Sequence, residues 1–318
     1  MSVAVNSTRP PLPLPALVVI AGPTASGKSA LALALAERND GVVINADSAQ
    51  VYRDLRIVTA RPSVEDEARA PHRLFGHVDA ADTGCSAARW AVEARAAVAE
   101  THMAGKLPIL VGGTGLYLRT LLDGIAPVPP IDPAVRVAVR VLSAADAHAL
   151  LAEADPDAAA RLHANDTTRV HRALEVVRAT GRPLAEWQAA HAGGIGDTVR
   201  LIATILLPPR AWLADRIAAR AGTIVDEGAA EVAALLARPD LPAAAPIRRA
   251  IGVPELARQD EGRSDRATAV AALALATRRY AKRQETWFTH QPPADWVRTD
   301  VTNTASLAGD IETFLRRY

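Results

Sequence analysis

Three features of the sequence predict an α/β core on a parallel sheet, interrupted by an all-helical insertion. Apolar runs of strand length alternate with alanine-rich helical stretches. The first run leads through a glycine-rich turn straight into a helix. A proline-dense segment in mid-chain then opens a stretch with helices and no convincing strand.

In chain order, residues 17–20 read as a buried strand and residues 22–29 as the turn. Residues 30–38 read as a helix, because the Ala/Leu content and the preceding serine outweigh the strand-like alternation. Residues 42–45, 108–111 and 199–207 read as further core strands, and residues 87–104 as an alanine-rich helix. This alternation is that of a doubly wound sheet. The pattern changes at Ile125-Ala-Pro-Val-Pro-Pro-Ile-Asp-Pro133. Helices are expected over 133–142, 144–153, 156–163, 167–180 and 184–192, with Gly193-Gly194-Ile-Gly196 as the return hinge. The expected organisation is therefore a flexible segment over 1–16, a core formed by 17–124 and 197–318, and a helical domain over 125–196.

Composition narrows the class. The chain of 318 residues is 49% hydrophobic and 22% charged, long enough for two folded domains. Lys plus Arg total 36 against 35 for Asp plus Glu, so any nucleic-acid binding must come from local basic patches. The helical stretch carries seven arginines against nine acids from Ile125 to Asp197, so its role would rest on a few placed side chains. Cys85 is the sole cysteine, which excludes an intramolecular disulfide or a Cys-rich zinc module and points to a cytoplasmic protein. Prolines 10, 11, 13 and 15 break up the apolar N-terminal stretch that could otherwise pass for a signal peptide, and no run suits a membrane span. Lysine occurs only at 28, 106 and 282 among many arginines, which hints at a need for a compact ammonium there.

Gly22-Pro23-Thr24-Ala25-Ser26-Gly27-Lys28-Ser29 matches G-x-x-x-x-G-K-[ST] between a strand and a helix. Such a loop turns backbone N–H groups toward phosphate oxygens, with Lys28 to neutralise them and Ser29 to ligate Mg²⁺. A P-loop NTPase-like core follows, and on this motif alone ATP or GTP is the favoured ligand. Yet residues 109–111 run into Gly112-Gly-Thr-Gly115 with no Asp where an NTPase would hold its metal, which weakens that reading. Asp47, at the carboxyl end of the second strand, faces the crevice where such sheets bind ligands. It could be a metal ligand, a helix cap or a general base.

The loop together with Asp47-Ser-Ala-Gln-Val-Tyr52, Thr59-Ala-Arg-Pro62, Pro71-His-Arg-Leu74 and Val111-Gly-Gly-Thr-Gly-Leu-Tyr117 resembles the bacterial tRNA dimethylallyltransferase family. The likeness continues through Asn165-Asp-Thr-Thr-Arg-Val-His-Arg-Ala-Leu-Glu175, Arg216-Ile-Ala-Ala-Arg220 and Ala281-Lys-Arg-Gln-Glu-Thr-Trp287, about residues 17 to 290. The resemblance implies that residues 22–29 hold the diphosphate of dimethylallyl diphosphate with Mg²⁺, that Asp47 is the base for an adenine N6 in a tRNA anticodon loop, and that Thr24, Lys28 and Arg220 serve the leaving group. It implies tRNA contacts at Asp47, Ser48, Ala49, Gln50, Thr114, Arg136, Thr168, Arg169, Val170, His171, Arg172, Arg249, Ala250, Ile251, Gly252, Lys282, Arg283, Gln284, Thr286 and Trp287, although Trp287 reads equally as a core aromatic.

The target adenine would have to leave the anticodon-loop stack. The expected enzyme is a cytoplasmic monomer with no membrane contact. Two departures stand out: Gly252-Val253-Pro254 replaces a usual Gly-Tyr-Lys or Gly-Tyr-Arg, and Val58 replaces a usual glycine. Rival readings are a prenyltransferase acting on free adenine nucleotides, a small-molecule kinase, and a nucleic-acid-binding NTPase.

Overall fold

A computed structural model describes residues 13–316, so most of the expected flexible N-terminal segment lies outside the described residues. The chain divides into two compact units, one formed by residues through Arg119 and from Gly196 onward, the other by Thr120–Ile195.

The larger unit is an α/β layer structure. Its strands are β1 (Ala16–Ala21), β2 (Gly41–Asn45), β3 (His72–Arg73), β4 (Leu107–Gly112), β5 (Arg200–Leu206) and β6 (Val297–Thr299). They form one sheet in the order β3-β2-β4-β1-β5-β6, every pair parallel. In register, Ile20 sits opposite Val111 on one side and Thr204 on the other. β1, β2 and β4 are apolar at nearly every position because helices cover both faces. The order reverses beside β1, so the loops after β1, β2 and β4 open onto one crevice.

Helix α1 (Lys28–Arg38) begins two residues earlier than expected. Gly27 caps it in the left-handed region at φ 91°, a conformation that a residue with a Cβ adopts only under strain. The other helices before the second unit are α2 (Val64–Arg69), with a Ser63/Asp66 capping box, α3 (Ala87–Met103), capped by Ser86, and α4 (Gly115–Leu122).

The helical unit holds α5 (Pro133–Arg140), α6 (Ala144–Ala154), α7 (Pro156–Arg161), α8 (Thr167–Thr180) and α9 (Leu184–Gln188) around Val139, Leu151, Val170 and Leu174. Asp132, Ser143, Asp155 and Asp166 each cap the helix that follows. The last helix is shorter than expected because Ile125 and Ala192 exchange backbone hydrogen bonds at 3.0 and 3.1 Å, drawing the chain into an extended bridge.

The chain returns through β5 to α10 (Arg210–Glu227), α11 (Ala229–Leu236), α12 (Val253–Asp260), the long α13 (Arg266–His290) and α14 (Thr304–Arg316). α14 packs on α1, where buried Glu312 pairs with Arg38 at 2.9 Å. The departure at Val253-Pro254 is accommodated: Val253 is buried, and Pro254 lies in the first turn of α12, where no N–H is required. Among the described residues, no helix is long and apolar enough to cross a membrane.

Candidate active site

Two adjoining cavities in the larger unit share a wall. The smaller, about 250 Å³, is the cradle formed by residues 24–30 with Asp47, Gln50, Gly112, Arg216 and Arg220. The larger, about 530 Å³, extends from Thr24 and Asp47 between α10 and α13 to the segment over Pro246–Ile251. Thr24, Asp47, Thr59, Ala60 and Arg220 line both.

The cradle is built for an anion. Lys28 Nζ donates to the Pro23 carbonyl at 2.5 Å, folding the loop around the ammonium. Surrounding protein desolvates Lys28 and pushes its pKa down to about 8; Asp47 acts in the opposite direction, and Arg220 adds to the fall. Burial likewise lowers Arg220, with Arg216 repelling it. Arg216 Nε donates to the Ala25 carbonyl at 3.0 Å while its guanidinium stacks over Trp212. Ser26 Oγ is buried with no hydrogen-bond partner among the described residues. One desolvated ammonium, two arginines and the N-terminus of α1 give the cradle a character that suits a multiply charged anion.

Asp47 is held from below. Buried Asn45 accepts the Asp47 N–H at 2.8 Å and donates to the carbonyls of Asp47 and Leu74 at 3.0 Å each. Trp90 Nε1 donates to the Asn45 carbonyl at 2.9 Å and stacks on Tyr117. The Asp47 carboxylate accepts the Ala49 N–H at Oδ1, 2.9 Å, which leaves Oδ2 without a protein donor among the described residues. Asp47 therefore shapes its turn through one carboxylate oxygen alone.

Thr114 Oγ1 accepts from the Ser48 N–H at 3.0 Å and donates to Ser48 Oγ at 3.2 Å, joining the β2 and β4 loops at the rim of the larger cavity. Tyr280 lines it from α13, its phenol pushed up by desolvation and then by the charge on Asp47. Tyr52 is pushed up to about 12, chiefly by desolvation. Both stay neutral donors at physiological pH.

Of the residues expected to contact tRNA, Asp47, Ser48, Ala49, Thr114, Arg249, Ala250, Ile251 and Arg283 line the larger cavity. Gln50 lines the cradle, its amide spent on the Thr59 and Ala60 carbonyls. Lys282 and Thr286 are exposed on α13. Arg136, Thr168 and Arg169 are exposed in the helical unit, and His171 and Arg172 are half-buried there. In that unit buried Glu175 accepts from Arg140 at 3.0 Å and faces Arg172 at 3.9 Å.

Three of the residues expected to contact tRNA are buried. Val170 is fully buried in the core of the helical unit and cannot reach a ligand. Gly252 is buried at the start of α12. Gln284 is buried: its Oε1 accepts the Thr24 N–H at 2.8 Å and its Nε2 donates to the Gly113 carbonyl at 2.8 Å, so it clips the phosphate loop to the β4 loop. Trp287 packs on the backbone of Gly115, where an added Cβ would fall 2.3 Å from the indole, and edge-on against Phe288.

Sequence reasoning missed the apolar wall of Ile217, Ala221, Ile224 and Leu273. The signal was present: positions 217, 221 and 224 form a stripe at helical spacing beside Arg220.

The sequence matches the family described as IPP transferase over residues 50–291. The chain belongs to the IPP transferase family. Its relatives include the tRNA dimethylallyltransferase of Sphingopyxis alaskensis, 61% identical over 287 residues that cover 89% of this chain and 92% of the relative. That of Erythrobacter litoralis is 54% identical over 292 residues, covering 90% and 92%. Among solved structures, the full-length tRNA isopentenylpyrophosphate transferase of Bacillus halodurans aligns at TM-score 0.67 with 33% identity, over 94% of this chain and 95% of that one. A eukaryotic dimethylallyltransferase acting on tRNA aligns at TM-score 0.75 with 27% identity, over 86% and 70%. In this chain the anion cradle meets the larger, partly apolar cavity at one carboxylate, Asp47.

Proposed function

We propose that this protein is a tRNA dimethylallyltransferase that moves the five-carbon group of dimethylallyl diphosphate onto N6 of adenine 37 in the tRNA anticodon loop. The observation that carries this reading is the position of Asp47 on the wall common to the anion cradle and the larger cavity. An adenine amine donates its lone pair into the ring and is a poor nucleophile, so a carboxylate in hydrogen-bond reach has to orient it. In the step, the N6–C1 bond forms as the C1–O bond breaks. The bonding pair leaves with the diphosphate, and the N6 proton passes to Asp47.

Lys28, Arg220, the Thr24 hydroxyl and the loop N–H groups meet the charge on the departing oxygen. Holding donor and acceptor across one carboxylate supplies much of the remaining acceleration as placement. The residues fit a Mg²⁺ ion, which Ser29 and Asp47 would hold together with the diphosphate. Ser29 presents an exposed hydroxyl in the first turn of α1, Asp47 lines the same cradle, and the described residues offer no cluster of three or more His, Cys, Asp or Glu for an all-protein site. When bound, the ion neutralises charge on the leaving group.

The helical unit, residues 120–195, reads the anticodon stem-loop through Arg136, Thr168, Arg169, His171 and Arg172, with Arg249, Lys282 and Arg283 in the core unit doing the same for the flipped nucleotide and its neighbours. The enzyme acts as a cytoplasmic monomer. The kinase reading is disfavoured by β4, which ends at Gly112 and runs into Gly113 with no carboxylate. Radiolabelled dimethylallyl diphosphate tests the proposal: label should enter unmodified tRNA and not AMP. Comparable labelling of AMP would favour transfer to free adenine nucleotides instead.

A further inference from the structure

We propose that Val58 sets the length of allylic chain that the larger cavity accepts, an inference that rests on the prenyl-transfer reading above. Val58 is 5% exposed, lines the cavity, and belongs to the loop whose next two residues line the cradle as well.

The backbone of this loop is fixed from outside the site. The Glu231 carboxylate on α11 accepts the N–H groups of Arg56, Ile57 and Val58 at 2.9 to 3.1 Å. The Thr59 hydroxyl donates to the Leu55 carbonyl at 2.5 Å, and the Arg61 N–H to the Arg56 carbonyl at 2.9 Å. The side chain is fixed as firmly. A Cβ placed on Gly228 would lie 2.8 Å from one Val58 methyl, and a Cβ on Gly252 would lie 2.6 Å from the other. The same positions come within 3.6 Å of Ile224 and 3.9 Å of Leu273. Two glycines thus admit the valine, and Ile224 and Leu273 complete an apolar end wall.

That wall stands close to the phosphates. Thr59 and Ala60, which follow Val58 directly, line the cradle, so Val58 is only one to two residues from it, about 4–7 Å along the chain. Each further isoprene unit lengthens an allylic diphosphate by about 5 Å at ordinary bond lengths. A five-carbon chain fits that span, whereas a ten-carbon chain exceeds it and meets Val58, which a close-packed surround does not let yield.

The test compares kcat/KM for dimethylallyl and geranyl diphosphate on one unmodified anticodon stem-loop, using the full chain, Val58→Ala and Val58→Leu. The expected result is a rise of about tenfold or more in the geranyl-to-dimethylallyl ratio for Val58→Ala, and a fall for Val58→Leu. A ratio within twofold of the parent in a Val58→Ala protein that still binds inorganic diphosphate overturns the proposal. Should Val58→Ala lose diphosphate binding, Ile224→Ala opens the same end from α10 and is judged by the same ratio. A parent chain that transfers neither group overturns the transferase reading along with this one, while a parent active on dimethylallyl diphosphate with an unmoved ratio overturns this one alone.

Discussion

Raising the pH should loosen the grip of the cradle on diphosphate, through Lys28. In the free protein, desolvation holds the ammonium at about 8 rather than its ordinary value of 10.5. A bound diphosphate favours the charged form, so the pKa in the complex lies higher and binding takes up a proton above about pH 8. The sign is therefore fixed: affinity is full below about 8 and is lost as pH rises from there to the pKa of the complex. With a free-state value of about 8, the charged fraction falls about tenfold at pH 9 and about thirtyfold at pH 9.5, and the affinity ratio follows it. Diphosphate itself ionises further in this range, which works in the opposite direction. Lys28→Met reports that ligand contribution alone, and the quantity to examine is the ratio of parent to variant affinity. Isothermal titration of inorganic diphosphate into each protein in buffers of different ionisation heat gives both the affinity and the proton uptake. A parent-to-variant ratio flat from pH 7 to 9.5, with no proton taken up, would refute the reasoning.

Other expectations concern the scaffold and the nucleic acid. Gln284→Ala orphans the partly buried Thr24 N–H and the buried Gly113 carbonyl; at about 1–3 kcal/mol for each group, thermal or urea unfolding should show a loss of about 2–6 kcal/mol, with weaker diphosphate binding. Gln284→Glu keeps the acceptor for Thr24 and should recover part of both. Arg169 is exposed and, among the described residues, pairs with Asp166 alone, at 3.3 Å, so Arg169→Ala should leave the unfolding midpoint nearly unmoved. It should raise the KM for tRNA more than that for the prenyl donor and reduce the salt dependence of tRNA binding; a change confined to the donor term would count against the role of the helical unit.

The parts legible in the sequence were those with a local signature. β1, β2, β4 and β5 are apolar runs of five to seven residues, and the phosphate loop announces itself by spacing. β3 and β6, two and three residues of His, Arg, Val and Thr at the sheet edges, have no period to detect. They exist because neighbouring strands offer hydrogen bonds. Asp47 was legible as a strand-end carboxylate, but its place between two cavities depends on α10 and α13, more than 160 residues later in the chain. Gln284 shows the converse. Inside a basic string it reads as a ligand contact, yet the backbone groups it satisfies belong to loops 260 and 171 residues away, a pairing that no local pattern encodes. Val170 sits between exposed Arg169 and half-buried His171, and helical geometry turns it inward even though its neighbours face outward.

The central claim is that one carboxylate, at the boundary of cradle and cavity, accepts the N6 proton. Single-turnover transfer from dimethylallyl diphosphate to an anticodon stem-loop, measured for the parent and Asp47→Ala with binding of both substrates checked separately, tests it most directly. The account predicts a fall in the chemical rate of about 10²- to 10⁴-fold, with tRNA affinity within a few-fold of the parent. A variant that transfers the prenyl group at the parent rate would contradict it.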